Sequence, residues 1–220
     1  MMTKHLQTLM RVFEEPEAFQ IVQILNNPSA ATLWADDENI WDNALQEITS
    51  AFDGVDRKAL MFALREHIVN RWGFSLPKPQ LLNAIQNLGP IVEVGSGAGW
   101  LTHCLQNKGI DVIATDINPW DHPHTDILSL AADQAVKSHP TRTVLMSWPS
   151  LDGKWPKIML DAMAGGQKLV LISEGRGGCC ANGDFFDTLH NGFQRLGVFP
   201  KATHPWAGIN DMTEIWQKHS

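Results

Sequence analysis

The feature that most constrains this chain is Glu93-Val94-Gly95-Ser96-Gly97-Ala98-Gly99, a glycine-rich run between two apolar stretches. Residues 90–95 read as a short buried strand and residues 98–108 as a helix. Glycines at such a junction let the backbone turn sharply and let a ligand come close. In a doubly wound sheet, this turn lies at the carboxyl edge, where the strand order reverses and ligands bind. A tight turn that holds no ligand is the plain alternative.

The residues that follow extend the same pattern. Strands are predicted over 111–116, near 126–128, over 143–147 and over 168–173, with helices over 130–138, near 156–164 and over 184–196. Strands alternating with helices of this length imply a parallel sheet covered on both faces, an α/β fold. Two last strands are expected near 198–203 and 212–217. The turn-like Ala207-Gly208-Ile209-Asn210 between them is too short for a parallel crossover, so one of that pair runs antiparallel.

Before residue 77 every periodic signal is helical, from the Leu6, Leu9, Met10, Phe13 spacing to a face of Leu60, Leu64, Ile68 and Trp72 behind a possible N-cap at Asp56. Pro77 and Pro79 punctuate the chain, and Leu81, Leu82, Ile85 and Leu88 suggest one more short helix ending at Gly89. The expected division is therefore a helical extension or cap over residues 1–76 and an α/β domain over residues 77–220.

Composition excludes several function classes. The chain has 220 residues and a net charge of -7, and residues 1–76 supply most of it, with 6 Lys+Arg against 11 Asp+Glu. No basic footprint for a phosphate backbone is present, so no nucleic-acid partner is expected. No apolar run approaches the ~20 residues that span a bilayer, and the charged start does not read as a secretory signal. Three cysteines, Cys179 and Cys180 adjacent, build no disulfide framework and match no metal spacing. A cytoplasmic protein without a metal is the expectation.

Two details choose between cofactors. The third glycine of a dinucleotide fingerprint would fall at Trp100, too bulky for close helix–strand packing. Glu93 sets a carboxylate beside the turn, which repels a pyrophosphate and suits a ligand carrying an amino group and a sulfonium. Asp116, at the end of the second strand, can accept hydrogen bonds from ribose hydroxyls, whichever nucleoside cofactor is bound.

On these residues, and on the antiparallel final strand, the chain from about Leu76 onward resembles the class I S-adenosylmethionine-dependent methyltransferases. Trp72-Gly73-Phe74-Ser75-Leu76-Pro77, Leu145-Met146-Ser147-Trp148-Pro149, Glu174-Gly175-Arg176-Gly177-Gly178-Cys179 and Trp206-Ala207-Gly208-Ile209-Asn210-Asp211 resemble a bacterial and fungal group within that superfamily. The resemblance implies a Rossmann-like, doubly wound sheet of seven mostly parallel strands with S-adenosylmethionine as cofactor. It implies that Gly95, Gly97 and Gly99 line the methionine and ribose part, and that Glu93 faces the methionine end. Asp116 would take the ribose hydroxyls and Ile117 the adenine face. Asp126 would accept from the adenine amino group, unless it is an ordinary N-cap of the following helix.

On the acceptor side, base and amide N-methyltransferases commonly carry Asp or Asn, then Pro-Pro and an aromatic, where this chain has Ser147, Trp148, Pro149 and Ser150. That departure points away from nucleic-acid amines and toward a small or medium organic acceptor. Ser147 and Trp148 are the expected acceptor-side residues and Glu174 the expected base, with an ion pair to Arg176 as its alternative. His122 and His124 are weaker candidates. Trp100, Trp120, Trp148 and Trp206 all fall near ligand-edge loops, as ligand walls or as core anchors. A non-catalytic S-adenosylmethionine-binding or interaction protein and an NAD(P)-dependent oxidoreductase are the competing readings. Sequence alone leaves the oligomeric state open.

Overall fold

The computed structural model describes residues 72–203 and 208–220, together with Gln46, Arg65, Val69, Asn70 and Trp206. The helices expected before residue 65, and the cap they would form, lie outside the described residues. The elements are α1 (Pro79–Ile85) with a 3-10 turn (Gln86–Leu88), β1 (Ile91–Val94), α2 (Trp100–Asn107), β2 (Val112–Asp116), β3 (Ile127–Ser129), α3 (Ala132–Ser138), β4 (Thr143–Ser147), α4 (Trp155–Ala162), β5 (Lys168–Ser173), α5 (Gly183–Gly192), β6 (Phe193–Pro200) and β7 (Met212–Lys218).

The seven strands form one sheet in the order β3-β2-β1-β4-β5-β7-β6. Neighbours from β3 to β5 pair in parallel, whereas β7 runs antiparallel to both β5 and β6. The chain thus has the doubly wound, mostly parallel sheet with a reversed last strand that the sequence implies.

Central strands are buried on both faces, so their alternate residues feed two separate cores. Ile91, Leu145, Val170 and Ile172 pack with Trp100, Leu101 and Leu105 of α2 and Leu81, Leu82 and Ile85 of α1. Val92, Val94, Val144, Met146, Leu169 and Leu171 face Val136 of α3, Met159 and Leu160 of α4, and Phe185, Phe186 and Leu189 of α5. Trp72 and Leu76 belong to the first core. A division between residues 76 and 77 would therefore cut through packed side chains.

Two expectations need correction. The helix expected over 184–196 ends at Gly192, and β6 begins at the next residue. Leu189, Phe193 and Leu196 keep a helical spacing, but pairing of Phe193 with Lys218 and of Gln194 with Gln217 takes that segment into the sheet. A register shift between Arg195 and Gly197 marks an irregularity there. The connection before β7 also runs from Lys201 to Asp211 rather than four residues, and within it Thr203 bridges to Pro77.

Candidate functional site

At the carboxyl edge of β1 the chain makes the glycine turn, with φ of 65° at Gly95, 56° at Gly97 and 69° at Gly99. Those values lie in the left-handed region that favours glycine. Space is tight as well: a Cβ on Gly99 would sit 2.8 Å from Thr125 Cγ2, and one on Gly97 would sit 3.0 Å from the Trp120 ring, so either neighbour would have to shift. The loop after β2 folds onto this turn, with Trp120 N donating to Gly97 O and His124 N to Ala98 O.

Glu93 points from β1 toward the start of α2. Its Oε2 accepts from Thr102 N at 3.1 Å and from Thr102 Oγ1 at 2.5 Å, so it caps a helix whose own N-cap is Gly99. Among the described residues no hydrogen bond reaches Oε1. Burial pushes the Glu93 carboxyl up to about 7; the Thr102 bonds oppose this and the neighbouring Asp116 charge adds to it. Asp116 ends β2 with both oxygens engaged, Oδ2 accepting from Gly97 N at 2.8 Å and Oδ1 from Asn118 N at 2.9 Å. Each carboxylate oxygen retains further acceptor capacity.

Two pockets open along this edge and share Gly95, Asp116 and Trp148. One, of about 200 Å3, is lined by Glu93, Ser96, Gly97, Trp120 and Ser147 and closed by residues 72–75. The other, of about 300 Å3, lies between Ile117, Leu130, Ala131, Ala132 and Trp155. Ile117 is 63% exposed, an apolar platform at the second pocket. The hydroxyl of Ser96, in the lining of the first, is buried with no hydrogen-bond partner among the described residues. Such an orphan in a pocket wall fits a site that expects a polar ligand.

Trp148 follows β4 in a left-handed conformation, φ 50°. A non-glycine residue held there stores about 1–3 kcal/mol of strain and persists only where its surroundings over-determine it. Here its backbone N donates to Ile172 O, its indole N–H donates to Asp211 Oδ2 at 3.3 Å, and its ring stacks on Phe74 at 4.7 Å. Asp211 also accepts from Thr203 Oγ1 at 2.8 Å; burial raises its carboxyl against the lowering effect of these bonds. Beside it, the hydroxyls of Ser147 and Ser75 share a 2.6 Å hydrogen bond. Ser147 and Trp148 thus both line the first pocket.

Two expected residues are placed elsewhere. Asp126 precedes β3, and the register Ala114 to Ile127 and Asp116 to Ser129 sets it well back from the carboxyl edge and outside both pockets. Leu130, Ala131 and Ala132 take the place at that strand end. Glu174 lies outside both linings and acts as a loop staple, Oε2 accepting from Cys179 N and Oε1 from Asn210 N, each at 3.0 Å. Burial alone would raise its carboxyl, but these bonds and the Arg65 charge bring it below the usual range, which makes it a weak base. Arg176 pairs with Asp187 instead. Of the tryptophans, Trp100 is core, and Trp206 is buried with its indole N–H on Phe74 O. His122 and His124 line neither pocket.

Sequence reasoning missed Phe74, Ser75, Trp155 and the 130–132 segment as pocket walls. The rule that ligands sit beyond strand carboxyl ends points to 130–132. For Phe74 and Ser75 the only signal was the motif that contains them, and for Trp155 there was none.

Among the described residues no group of His, Cys, Asp and Glu can hold a metal, and no helix is long and apolar enough to cross a membrane. No family model and no curated protein matches the sequence. Solved structures with a similar chain path include a SAM-dependent methyltransferase from Methanosarcina mazei, with 15% identity and a TM-score of 0.47 over 62% of this chain and 97% of that one. The N-methyltransferase NodS from Bradyrhizobium japonicum in complex with S-adenosyl-l-homocysteine has 16% identity and a TM-score of 0.43 over 64% and 85%. A TehB-like SAM-dependent methyltransferase from Corynebacterium glutamicum has 17% identity and a TM-score of 0.46 over 71% and 96%. The fold assignment rests on the strand order and register of this chain.

Proposed function

We propose that this protein is an S-adenosylmethionine-dependent methyltransferase acting on a small or medium organic acceptor. The observation that carries the reading is the pair of adjacent pockets that share Gly95, Asp116 and Trp148 in their walls. The apolar one suits an adenine between Ile117 and residues 130–132, and the acidic one suits the sulfonium and the ammonium of the amino-acid end beside Glu93. Asp116 stands where a ribose would join them, and the glycine turn lets the ligand backbone pass close. The cofactor supplies an activated methyl group on a sulfonium. The protein supplies position, desolvation and negative charge, which is most of what methyl transfer requires.

A nicotinamide dinucleotide suits these residues poorly, because Glu93 would face its pyrophosphate. Ser147 and Trp148 wall the acceptor side in this proposal, and Glu174 serves to hold the loops around them. Calorimetry provides the test: S-adenosylmethionine and S-adenosylhomocysteine are expected to bind and reduced nicotinamide cofactors are not. Folded protein that takes up neither sulfur nucleoside at high micromolar concentration would refute the proposal. Incubation with methyl-labelled cofactor and a metabolite extract then separates an enzyme from a protein that only binds it.

A further inference from the structure

We infer that the space against Trp148 receives a nitrogen acceptor, a tertiary amine or heteroaromatic nitrogen, that attacks as a neutral molecule and leaves as a cation. The inference rests on the methyl-transfer reading above and names the acceptor class for the same site.

Trp148 borders both pockets, where a ligand spanning them has its middle, and with Phe74, Ser75 and Ser147 it walls the side of the first pocket that is left to the acceptor. Its position is fixed by the backbone bond to Ile172, the stack on Phe74 and the indole bond to Asp211. An N–H that donates to a carboxylate leaves more electron density on the indole, and an aromatic face already attracts cations. The surrounding charge has the same sign. Glu93 and Asp116 line the pockets, Asp211 lies behind the indole, and Glu174 holds the adjoining loop. Against these stands Arg65, whose guanidinium sits over Phe74 at 5.2 Å from the ring centre and near Glu174.

This field discriminates between nucleophiles. As a nitrogen lone pair forms the new C–N bond, the C–S bond breaks with its electron pair returning to sulfur. Positive charge moves from sulfur to nitrogen and stays beside the indole and the carboxylates. A carboxylate, phenolate or thiolate acceptor would be repelled on entry and would end neutral, gaining nothing from the same groups. A heteroaromatic nitrogen is largely neutral at pH 7 and has no proton to lose, and a tertiary alkylamine sheds its one proton to solvent before it attacks, so the occupied carboxylates of Glu174, Asp116 and Asp211 need not act as bases.

The test uses the full chain saturated with S-adenosylhomocysteine, which lacks the sulfonium, so that any cation preference belongs to the acceptor space. Benzyltrimethylammonium, benzyl alcohol and benzoate, which carry the same ring, are titrated into this complex by calorimetry. The ammonium is expected to bind about tenfold more tightly than benzoate, the range a desolvated cation–aromatic contact supplies. A preference below about threefold, or no binding of any probe at millimolar concentration, overturns the inference while leaving the cofactor reading intact. Failure of S-adenosylhomocysteine itself to bind would remove both. In Asp211→Asn, which keeps the hydrogen-bond acceptor but not the charge, the ammonium-to-benzoate ratio is expected to fall about threefold or more. An unchanged ratio in folded variant would show that the Trp148–Asp211 pair does not set the preference. Mass spectrometry of a mixed panel gives a second readout, with methylated tertiary amines or azoles expected ahead of phenols, thiols and carboxylic acids.

Discussion

Glu93 joins a buried, titrating carboxyl to the start of a helix. Its carboxyl, about 7 in the folded chain against an ordinary value of 4.5, is protonated through a pH range where the unfolded chain is already ionised. The folded state therefore binds the extra proton, and stability declines as pH rises from about 4.5 to 7, by roughly 3 kcal/mol in total, and is flat above that. A cationic ligand favours the ionised form, so S-adenosylmethionine should release protons on binding near pH 6. The expected result is a thermal shift by cofactor that grows from pH 5 to 8, with calorimetric enthalpies that depend on the buffer. Glu93→Gln should abolish both effects. A pH-independent shift in the native protein would show that the ligand does not sense this carboxylate. Asp116 has two tasks, because its oxygens tie Gly97 and Asn118 while facing both pockets. Asp116→Ala should lower the melting temperature and also weaken cofactor binding at least ~10-fold, since hydrogen bonds to a charged group contribute about 1.5–3 kcal/mol each. A lower melting temperature with unchanged affinity would leave Asp116 as a turn organiser only.

At the scale of elements, legibility followed burial. β4 and β5 are continuous apolar runs whose bounds are evident from residues 143–147 and 168–173, because both faces of each strand are covered. The short β3 is partly exposed, and its weak pattern sets the expected strand one residue early, so the residues at its carboxyl end, 130–132, are not evident. The α5–β6 boundary was illegible for a different reason: long-range pairing with β7 decides it, and local periodicity carries no trace of that pairing. The glycine turn with Glu93, Asp116 and Trp148 was readable from residue chemistry and spacing. The far wall was not, since Phe74 and Ser75 reach it through tertiary packing alone. β7 also supplies a helix terminus with its counter-charge. Lys218 Nζ donates to the carbonyls of Leu160, Asp161 and Met163, where α4 ends, at 2.8, 3.0 and 2.8 Å. Lys218→Met should cost about 1–2 kcal/mol and a few degrees of melting temperature, with cofactor affinity unaltered. Denaturant unfolding measures it, and a stability equal to that of the native chain would show those bonds to be replaced by water.

For the molecule as a whole, the question is where the folded unit that holds the two pockets begins. Every residue lining the two pockets lies between Trp72 and Trp155. The segment 72–77 is part of the packed body: Trp72 and Leu76 are buried in the core beside α1 and α2, Phe74 O accepts from the Trp206 indole, and Pro77 bridges to Thr203. Losing even one large core side chain costs about 3–5 kcal/mol, a large share of what a domain has. A chain beginning at residue 77 would lose Val69, Trp72 and Leu76 together, and with them the Phe74 and Ser75 wall. It should melt without cooperativity and bind no S-adenosylhomocysteine. A chain beginning at residue 65 keeps all of these, and it should fold and hold S-adenosylhomocysteine within about threefold of the full protein. Turnover, once an acceptor is known, should be lost in that shorter chain if residues 1–64 complete the acceptor enclosure, because a cover that excludes water belongs to the reacting complex rather than to cofactor binding. Circular dichroism melts and calorimetry on the two truncations decide the boundary. Native-like binding by the chain that starts at 77 would show residues 72–76 to be an appendage, and loss of binding in the chain that starts at 65 would place part of the cofactor site before it.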